Sequence, residues 1–320
     1  MALLSAARSV VSATIRPFGY GLVNLAPSAR PQQFHHIDVI LTEAELIATK
    51  GDFNGVLTVL QRLSLSDFGW LLMAPPPLYR TTLSFLPSMA SKEVQLNWTG
   101  AQGAHLLQQS LLFVKSIEAA FPRLVGRPLR NATMLDFGCG WGRLIRLMLW
   151  FSHPDKIFGV DAWERSLQLC ADHQVPGSLA QCDRVIENLP FEERQFDLIY
   201  ACSVFTHLSE EAMLAAQSAI RRRIKPDGLF VITIRPVEYW LNHPIHANSE
   251  QYEKTLEQHR TQGFAFVRGW GDIGDDPEGT YGDTSMSFDY LQKKWASWQV
   301  CGYDHNFEDN MQIIVFLKPA

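Results

Sequence analysis

From about residue 131 onward the chain alternates short apolar runs with amphipathic stretches. Continuous or alternating apolar runs bounded by turn residues read as strands, and apolar residues recurring every three to four positions read as helices. The pattern predicts strands over 133–137, 157–160, 177–182, 196–202 and 228–234, with helices over 141–151, 163–172 and 209–223 filling the gaps. Strands that alternate with helices build βαβ units on a parallel sheet. The last of these helices opens on Ser209, a good N-cap, followed by Glu210 and Glu211, which suit the positive end of the helix dipole. A final apolar run over 311–317, with 298–303 as its hairpin partner, predicts an antiparallel C-terminal strand.

Upstream the periodicity is helical, over 42–63 and again over 101–121, and Ala74-Pro75-Pro76-Pro77 breaks the chain between them. The expected architecture is a mostly helical N-terminal region, 1–125, followed by a doubly wound, Rossmann-like α/β domain, 126–320. Residues 1–37 contain no Asp or Glu, and Leu3, Leu4, Ala7, Val10, Val11 and Ile15 share a helical face opposite Arg8, Ser9, Ser12 and Arg16. Such an amphipathic arm can pack on the body, lie on a membrane surface as a peripheral contact, or act as an organelle transit peptide. The first is the simplest of the three.

Composition trims the options. With 47% hydrophobic and 19% charged residues in 320, the chain can bury a large core. A net charge of -5 provides no broad positive field, so nucleic acid is not an expected partner. The basic run Arg221-Arg222-Arg223 with Lys225 closes a helical pattern, where cations favour the helix dipole. The five cysteines show neither a CxxC pair nor zinc spacing with histidine, and read as reduced thiols of a cytoplasmic protein. No apolar run approaches the 18 or so residues a membrane-spanning helix needs.

The chemistry concentrates in Leu135-Asp136-Phe137-Gly138-Cys139-Gly140-Trp141-Gly142-Arg143, a strand entering a glycine-rich turn and then a helix. Glycines belong where a backbone turns tightly and a ligand approaches without a Cβ between. The dinucleotide spacing GxGxxG fails because Arg143 occupies the third glycine position, and no Gly-Lys-Ser/Thr makes a P-loop. This segment resembles the first motif of the class I S-adenosylmethionine-dependent methyltransferases. Phe158-Gly159-Val160-Asp161, Asn188-Leu189-Pro190-Phe191 followed by Gln195-Phe196-Asp197-Leu198-Ile199-Tyr200, and Ile224-Lys225-Pro226-Asp227-Gly228-Leu229 resemble later motifs of the same family, in the family's order.

The resemblance implies S-adenosylmethionine as cofactor and assigns residues to it. Gly138, Cys139, Gly140 and Gly142 would wrap the methionine part, with Asp136 near its amino group. Asp161, with Ala162 beside it, would take the ribose diol, since a carboxylate accepts two hydroxyl hydrogen bonds. Asp183 would contact the adenine, and Cys202, after the fourth strand, would face the methionine group. Asp161 could equally be a helix N-cap and Asp183 a turn acid.

Methyl transfer asks the protein mainly to position and desolvate the partners. A hydroxyl acceptor gains from a general base, and His207, in the loop after the fourth strand, is the candidate, against a plain loop role. His243 and His246 have an HxxH spacing but no third ligand, and read as a polar loop, with no metal expected. The glycine-rich stretch 264–287, with Gly269, Gly271, Gly274, Gly279 and Gly282, reads as an insertion. Together with Asn97-Trp98-Thr99-Gly100 it resembles the pieces that bacterial small-molecule and glycan methyltransferases place around the acceptor. The expected function is methyl transfer to a small-molecule, glycan or lipid-type acceptor, at oxygen. The alternative is a catalytically silent cofactor-binding subunit.

Overall fold

The computed structural model describes residues 32–269, 276, 279–306 and 311–320. Nearly all of the acid-free N-terminal arm, and Gly271 and Gly274 of the expected insertion, lie outside the described residues. The chain divides into two compact units, Met1–Val39 and Ile40–Ala320. The described part of the first is a 3-10 turn, Gln32–Ile37, and the first residues of helix α1 (Asp38–Ala48).

The single helical stretch expected over 42–63 is two helices. Gly51, at φ +76°, turns the chain after α1, and Asp52 then caps α2 (Phe53–Leu60) by accepting the Gly55 N–H at 2.9 Å. Ser64 caps α3 (Leu65–Met73) in the same way, through Asp67 N–H. The start of α4 (Arg80–Ser84) is held from outside, by Glu45 accepting the N–H groups of Thr81 and Thr82 at 3.0 and 2.7 Å. Against a burial that would raise it, these bonds hold the Glu45 carboxyl down to about 2. After α5 (Lys92–Thr99) comes the long helix α6 (Gly103–Val125), which matches the expected periodicity and ends on Gly126.

The strands are β1 (Met134–Phe137), β2 (Ile157–Asp161), β3 (Ser178–Gln181), β4 (Phe196–Ala201), β5 (Ile224–Ile234), β6 (Phe264–Arg268), β7 (Gly282–Met286), β8 (Trp298–Asn306) and β9 (Gln312–Pro319). Seven of them form one sheet in the order β3-β2-β1-β4-β5-β9-β8. The first five are parallel, and β9 lies antiparallel to both of its neighbours. Every residue of β1 and β4 is buried, as expected of central strands covered on both faces. One face packs Leu135, Phe137, Phe158, Ile199, Phe230 and Ile232 against Phe205, Trp295 and Trp298. On the sheet, α6 packs against β5, β8 and β9, so this helix of the N-terminal region is part of the same unit as the α/β layers.

Crossovers run through α7 (Arg143–Met148), α8 (Glu164–Asp172) and α9 (Glu210–Arg221). Helix α7 is shorter than the expected 141–151 because Gly142, left-handed at φ +76°, stands at its N-cap. Strand β5 starts at Ile224, before the expected Gly228, because a bulge against β4 lets it pair Phe196 with Ile224 and then Leu198 with Leu229. Between β5 and β8 lie two 3-10 turns, α10 (Ser249–Gln262), the β6–β7 hairpin and α11 (Phe288–Lys294), so the added material is larger than 264–287. The hairpin is stitched to the loop after β4 through Ser209 N–H to Thr280 O, Gly282 N–H to His207 O and Thr284 N–H to Thr206 O, at 2.8, 2.8 and 2.9 Å.

Candidate functional site

Ligands of open α/β sheets bind beyond the carboxyl ends of the strands. At that edge a cavity of about 480 Å³, in the size range of small-molecule pockets, runs along the ends of β1 to β4. Its wall takes Phe137 to Trp141 from the glycine turn, Asp161 to Trp163 from the end of β2, Cys182 to Arg184 after β3 and Cys202 to Val204 after β4. Asn97, Trp98 and Thr99 close it from α5, and Leu208 and Tyr281 from the β4 loop and the hairpin.

The glycine turn has a steric reason as well as a conformational one. Gly138 is left-handed at φ +74°, and a Cβ there would stand 2.4 Å from Val204 Cγ2. Its N–H and that of Cys139 both donate to Val160 O, at 2.8 and 2.9 Å, which pins the turn to the neighbouring strand. The buried Cys139 thiol points to Cys170, so Cys139 offers the cavity mainly backbone. Gly142 does not reach the wall: a Cβ there would meet Val175 at 2.8 Å, so this glycine serves the packing of the turn.

Asp161 ties two sides of the cavity together. One carboxylate oxygen accepts Gly140 N–H at 2.8 Å and the other accepts Trp163 N–H at 2.8 Å. The Ser166 hydroxyl also bonds this carboxylate, which leaves one lone pair open to a hydroxyl in the cavity, and a second for a vicinal diol once the Ser166 hydroxyl turns away. Burial pushes the Asp161 carboxyl above its ordinary range, against the lowering pull of those two backbone bonds. Asp136 lies beneath the turn and off the wall, facing in-register Tyr200 of β4. Burial raises its carboxyl to about 8, with the Asp161 charge adding to the rise and Arg143 opposing it. Ala162, Asp183 and Cys202 line the cavity as expected.

His207 is placed differently from what its sequence position suggested. Its Nδ1 is 2.7 Å from Gly282 O and its Nε2 is 3.2 Å from an Arg235 guanidinium N–H, so both ring nitrogens are engaged. The ring stacks on Tyr281, centroids 5.0 Å apart, and it is Tyr281 that lines the cavity. Burial and the Arg235 charge push the His207 imidazole down to about 4, although Asp283 and the Gly282 carbonyl pull the other way. Asp283 joins Arg235, Tyr239 and His243 at 2.6, 3.0 and 2.9 Å, which gives His243 a structural partner. Among the described residues no cluster of His, Cys, Asp or Glu suits a metal ion.

Of the wall residues that sequence reasoning does not single out, Tyr281 and Ser203 matter most. Tyr281 had no motif around it, and its place depends on the pairing of β7 with the β4 loop. Ser203 is a non-glycine at φ +59°, a strained conformation of the kind that clusters at functional sites. Two strands beyond β4 hold it: its N–H donates to Thr233 Oγ1 of β5 at 2.7 Å, and its hydroxyl accepts from Gln312 Nε2 of β9 at 2.7 Å.

The family model described as "Methyltransferase domain" matches residues 135–232, the stretch from β1 to β5 that supplies the glycine turn, Asp161 and the β4 edge. Residues 135–232 thus carry a methyltransferase domain. No curated protein matches the sequence. Among solved structures, an S-adenosylmethionine-dependent methyltransferase from Clostridium acetobutylicum ATCC 824 is 13% identical at a TM-score of 0.43, covering 67% of this chain and 92% of that one. The magnesium protoporphyrin IX methyltransferase of Synechocystis PCC 6803 with bound SAH is 12% identical at a TM-score of 0.44, covering 71% and 94%. A glycopeptide N-methyltransferase complexed with sinefungin is 12% identical at a TM-score of 0.42, covering 64% and 93%.

Proposed function

We propose that this cavity binds S-adenosylmethionine and that the chain transfers its methyl group to oxygen of a small-molecule, glycan or lipid-type acceptor. The observation that carries this reading is the division of the wall along the sheet edge. Its carboxylates, Asp161 and Asp183, stand after β2 and β3, whereas the wall beyond β4 carries the hydroxyls of Ser203 and Tyr281. Neighbouring strands are about 4.8 Å apart, so the acids lie roughly 10–14 Å from the β4 end. The adenosine part fits the acidic end and the reacting end fits β4.

When bound, S-adenosylmethionine supplies a methyl group activated by sulfonium. The chain's own residues hold and desolvate. Asp161 accepts the ribose hydroxyls, Asp183 faces the adenine, the backbone of Gly138 to Gly140 lets the methionine part approach, and Cys202 adjoins it. At the β4 end, the hydroxyls of Ser203 and Tyr281 suit an oxygen acceptor, which they can hold by hydrogen bonds. A base role for His207 would require its bond from Arg235 to break, so the arrangement supports a positioning role, exerted through the stacked Tyr281. The test is a labelled-methyl transfer screen with the purified chain against pools of metabolites, glycans and lipids, and transfer to none of them, with cofactor bound, would refute the proposed activity.

A peripheral membrane contact would run through the N-terminal arm, residues 1–37, nearly all of which lie outside the described residues. No described helix is long and apolar enough to cross a membrane.

A further inference from the structure

The helix that carries Trp98 is tied more to itself than to the body. Buried Gln95 donates through Nε2 to Ala90 O at 2.8 Å, ahead of α5, and accepts through Oε1 from Gly103 N–H at 2.9 Å, beyond it. Thr99 donates to Gln95 O at 2.6 Å. Residues 89–102 are thus closed into one small unit. At its start Ser88 is anchored: its carbonyl accepts Arg146 Nε and Nη2 at 3.1 and 2.7 Å, and its N–H donates to His173 O at 3.1 Å. At its end Gly100 and Gly103 are both left-handed, at φ +71° and +60°, with open space where a Cβ would stand. Among the described residues, the one hydrogen bond from 89–102 to the body between these points is Trp98 Nε1 to Ser166 Oγ, at 3.4 Å. Apolar packing of the buried Ala90 and Ala101 and the partly buried Met89, Val94 and Trp98 with Trp141 and Leu169 supplies the rest of the hold.

Trp98 lies over the most ligand-directed corner of the cavity. Its ring stacks on Trp163, centroids 4.7 Å apart and planes 14° from parallel. Its Cδ1 is 3.7 Å from where a Cβ of Gly140 would stand, and Gly140 is bonded to Asp161. The contacts of Trp98 are with the glycine turn and the Asp161 corner, so this segment reaches the cofactor end as well as any acceptor.

We propose that Trp98 is a cofactor-contacting residue carried on a hinged cover, residues 89–102, which turns about Ser88 and the Gly100–Gly103 pair to admit and retain the adenosyl ligand. This rests on the reading that the cavity holds S-adenosylmethionine. A cover held by apolar contacts and one long hydrogen bond opens at low cost, and aromatic stacking restores it over a bound ligand.

The probe is S-adenosylhomocysteine on the full chain, with calorimetry for binding and amide hydrogen exchange for the cover. Without ligand, α5 amides should exchange about 100-fold faster than those in the middle of α6, and saturating ligand should slow α5 about tenfold or more. In stopped-flow fluorescence, Trp98→Ala should release the ligand about tenfold faster, with Trp98→Phe largely restoring retention. Ser166→Ala, which removes the latch bond together with the Ser166 hydroxyl's bond to Asp161, should speed release by at least about threefold and serves where Trp98→Ala fails to fold. Tight binding with α5 exchanging as slowly as α6, or unprotected by ligand, overturns the cover, and so does unchanged release in both Trp98→Ala and Ser166→Ala. No heat of binding to the native chain overturns the cofactor reading itself.

Discussion

Replacing Asp161 by Asn keeps the shape of the side chain and removes its charge and one acceptor. In the native chain the carboxylate takes Gly140 N–H and Trp163 N–H, both at 2.8 Å, and the Ser166 hydroxyl, and on the proposed reading its remaining acceptor capacity serves the ribose diol. The amide has a single oxygen, so it can serve one of those backbone groups and must turn an NH2 toward the other. Losing charge-assisted bonds to the diol costs about 1.5–3 kcal/mol, or roughly 10- to 150-fold in affinity. Leaving a buried N–H unpaired costs a further ~1–3 kcal/mol of fold stability, visible as a lower melting temperature. Calorimetry with S-adenosylhomocysteine reads the first and thermal melting the second. A pH series adds a signature. Burial raises the Asp161 carboxyl in the free chain, while ribose donors favour the ionised form. Affinity is therefore full above the raised pKa and falls as pH drops through it, at higher pH than an ordinary carboxylate near 3.9 would show. The Asn variant should lack that fall. Unchanged affinity in Asp161→Asn, with the fold intact, would refute the ribose assignment.

Asp136, raised to about 8, keeps its proton in the folded chain over a range where the unfolded carboxyl has lost it. Stability therefore declines as pH rises from about 4 to 8, by at most ~1.4 kcal/mol per unit, and levels above 8; Asp136→Asn should gain melting temperature over the native chain, and the gain should widen with pH across that window. Ser203→Gly and Ser203→Ala both lose the hydroxyl that accepts from Gln312, and only glycine relieves the strain at φ +59°, so Ser203→Gly should be the more stable of the two by up to ~1 kcal/mol, with methyl transfer down about tenfold in either; equal melting temperatures would show that the conformation costs nothing. Tyr281→Phe should leave S-adenosylhomocysteine affinity within about twofold in calorimetry and reduce turnover on the acceptor found by screening by about tenfold. His207→Ala should raise the acceptor KM more than it lowers kcat, and a drop of about 10²–10⁴ in kcat alone, the mark of a base, would overturn the positioning role.

Much of the parallel sheet was legible because its signals are local. An apolar run such as Phe196–Ala201 and a glycine turn such as 138–142 impose their conformations within a few residues, and the acid ending β2 falls at the cavity wall by strand order alone. The N-terminal helices were blurred where a polar cap, Asp52, interrupts a continuous helical periodicity. The acceptor side of the site was not legible for a different reason. Tyr281 reaches the cavity only because β7 pairs with 206–209, about 75 residues earlier in the chain, and His207 is turned away by the same pairing. Ser203 carries no sequence mark, since its strain arises from bonds to Thr233 and Gln312 on two other strands.

Strand β9 enters the sheet between β5 and β8, and its pairing with β5 joins residues about 80 positions apart, such as Phe230 and Leu317. Until 312–319 have emerged and docked, β5 presents a bare edge over 230–234, apolar but for Thr233, while the intervening residues are synthesised. An unpaired edge of that kind is a template for strands of other chains. The same late strand delivers Gln312 to Ser203, so the cavity's β4 wall acquires its final form only when the sheet closes. During synthesis the chain therefore passes from aggregation-prone to competent in a single step, and slowing translation across 298–319 should favour misassembly over the soluble product.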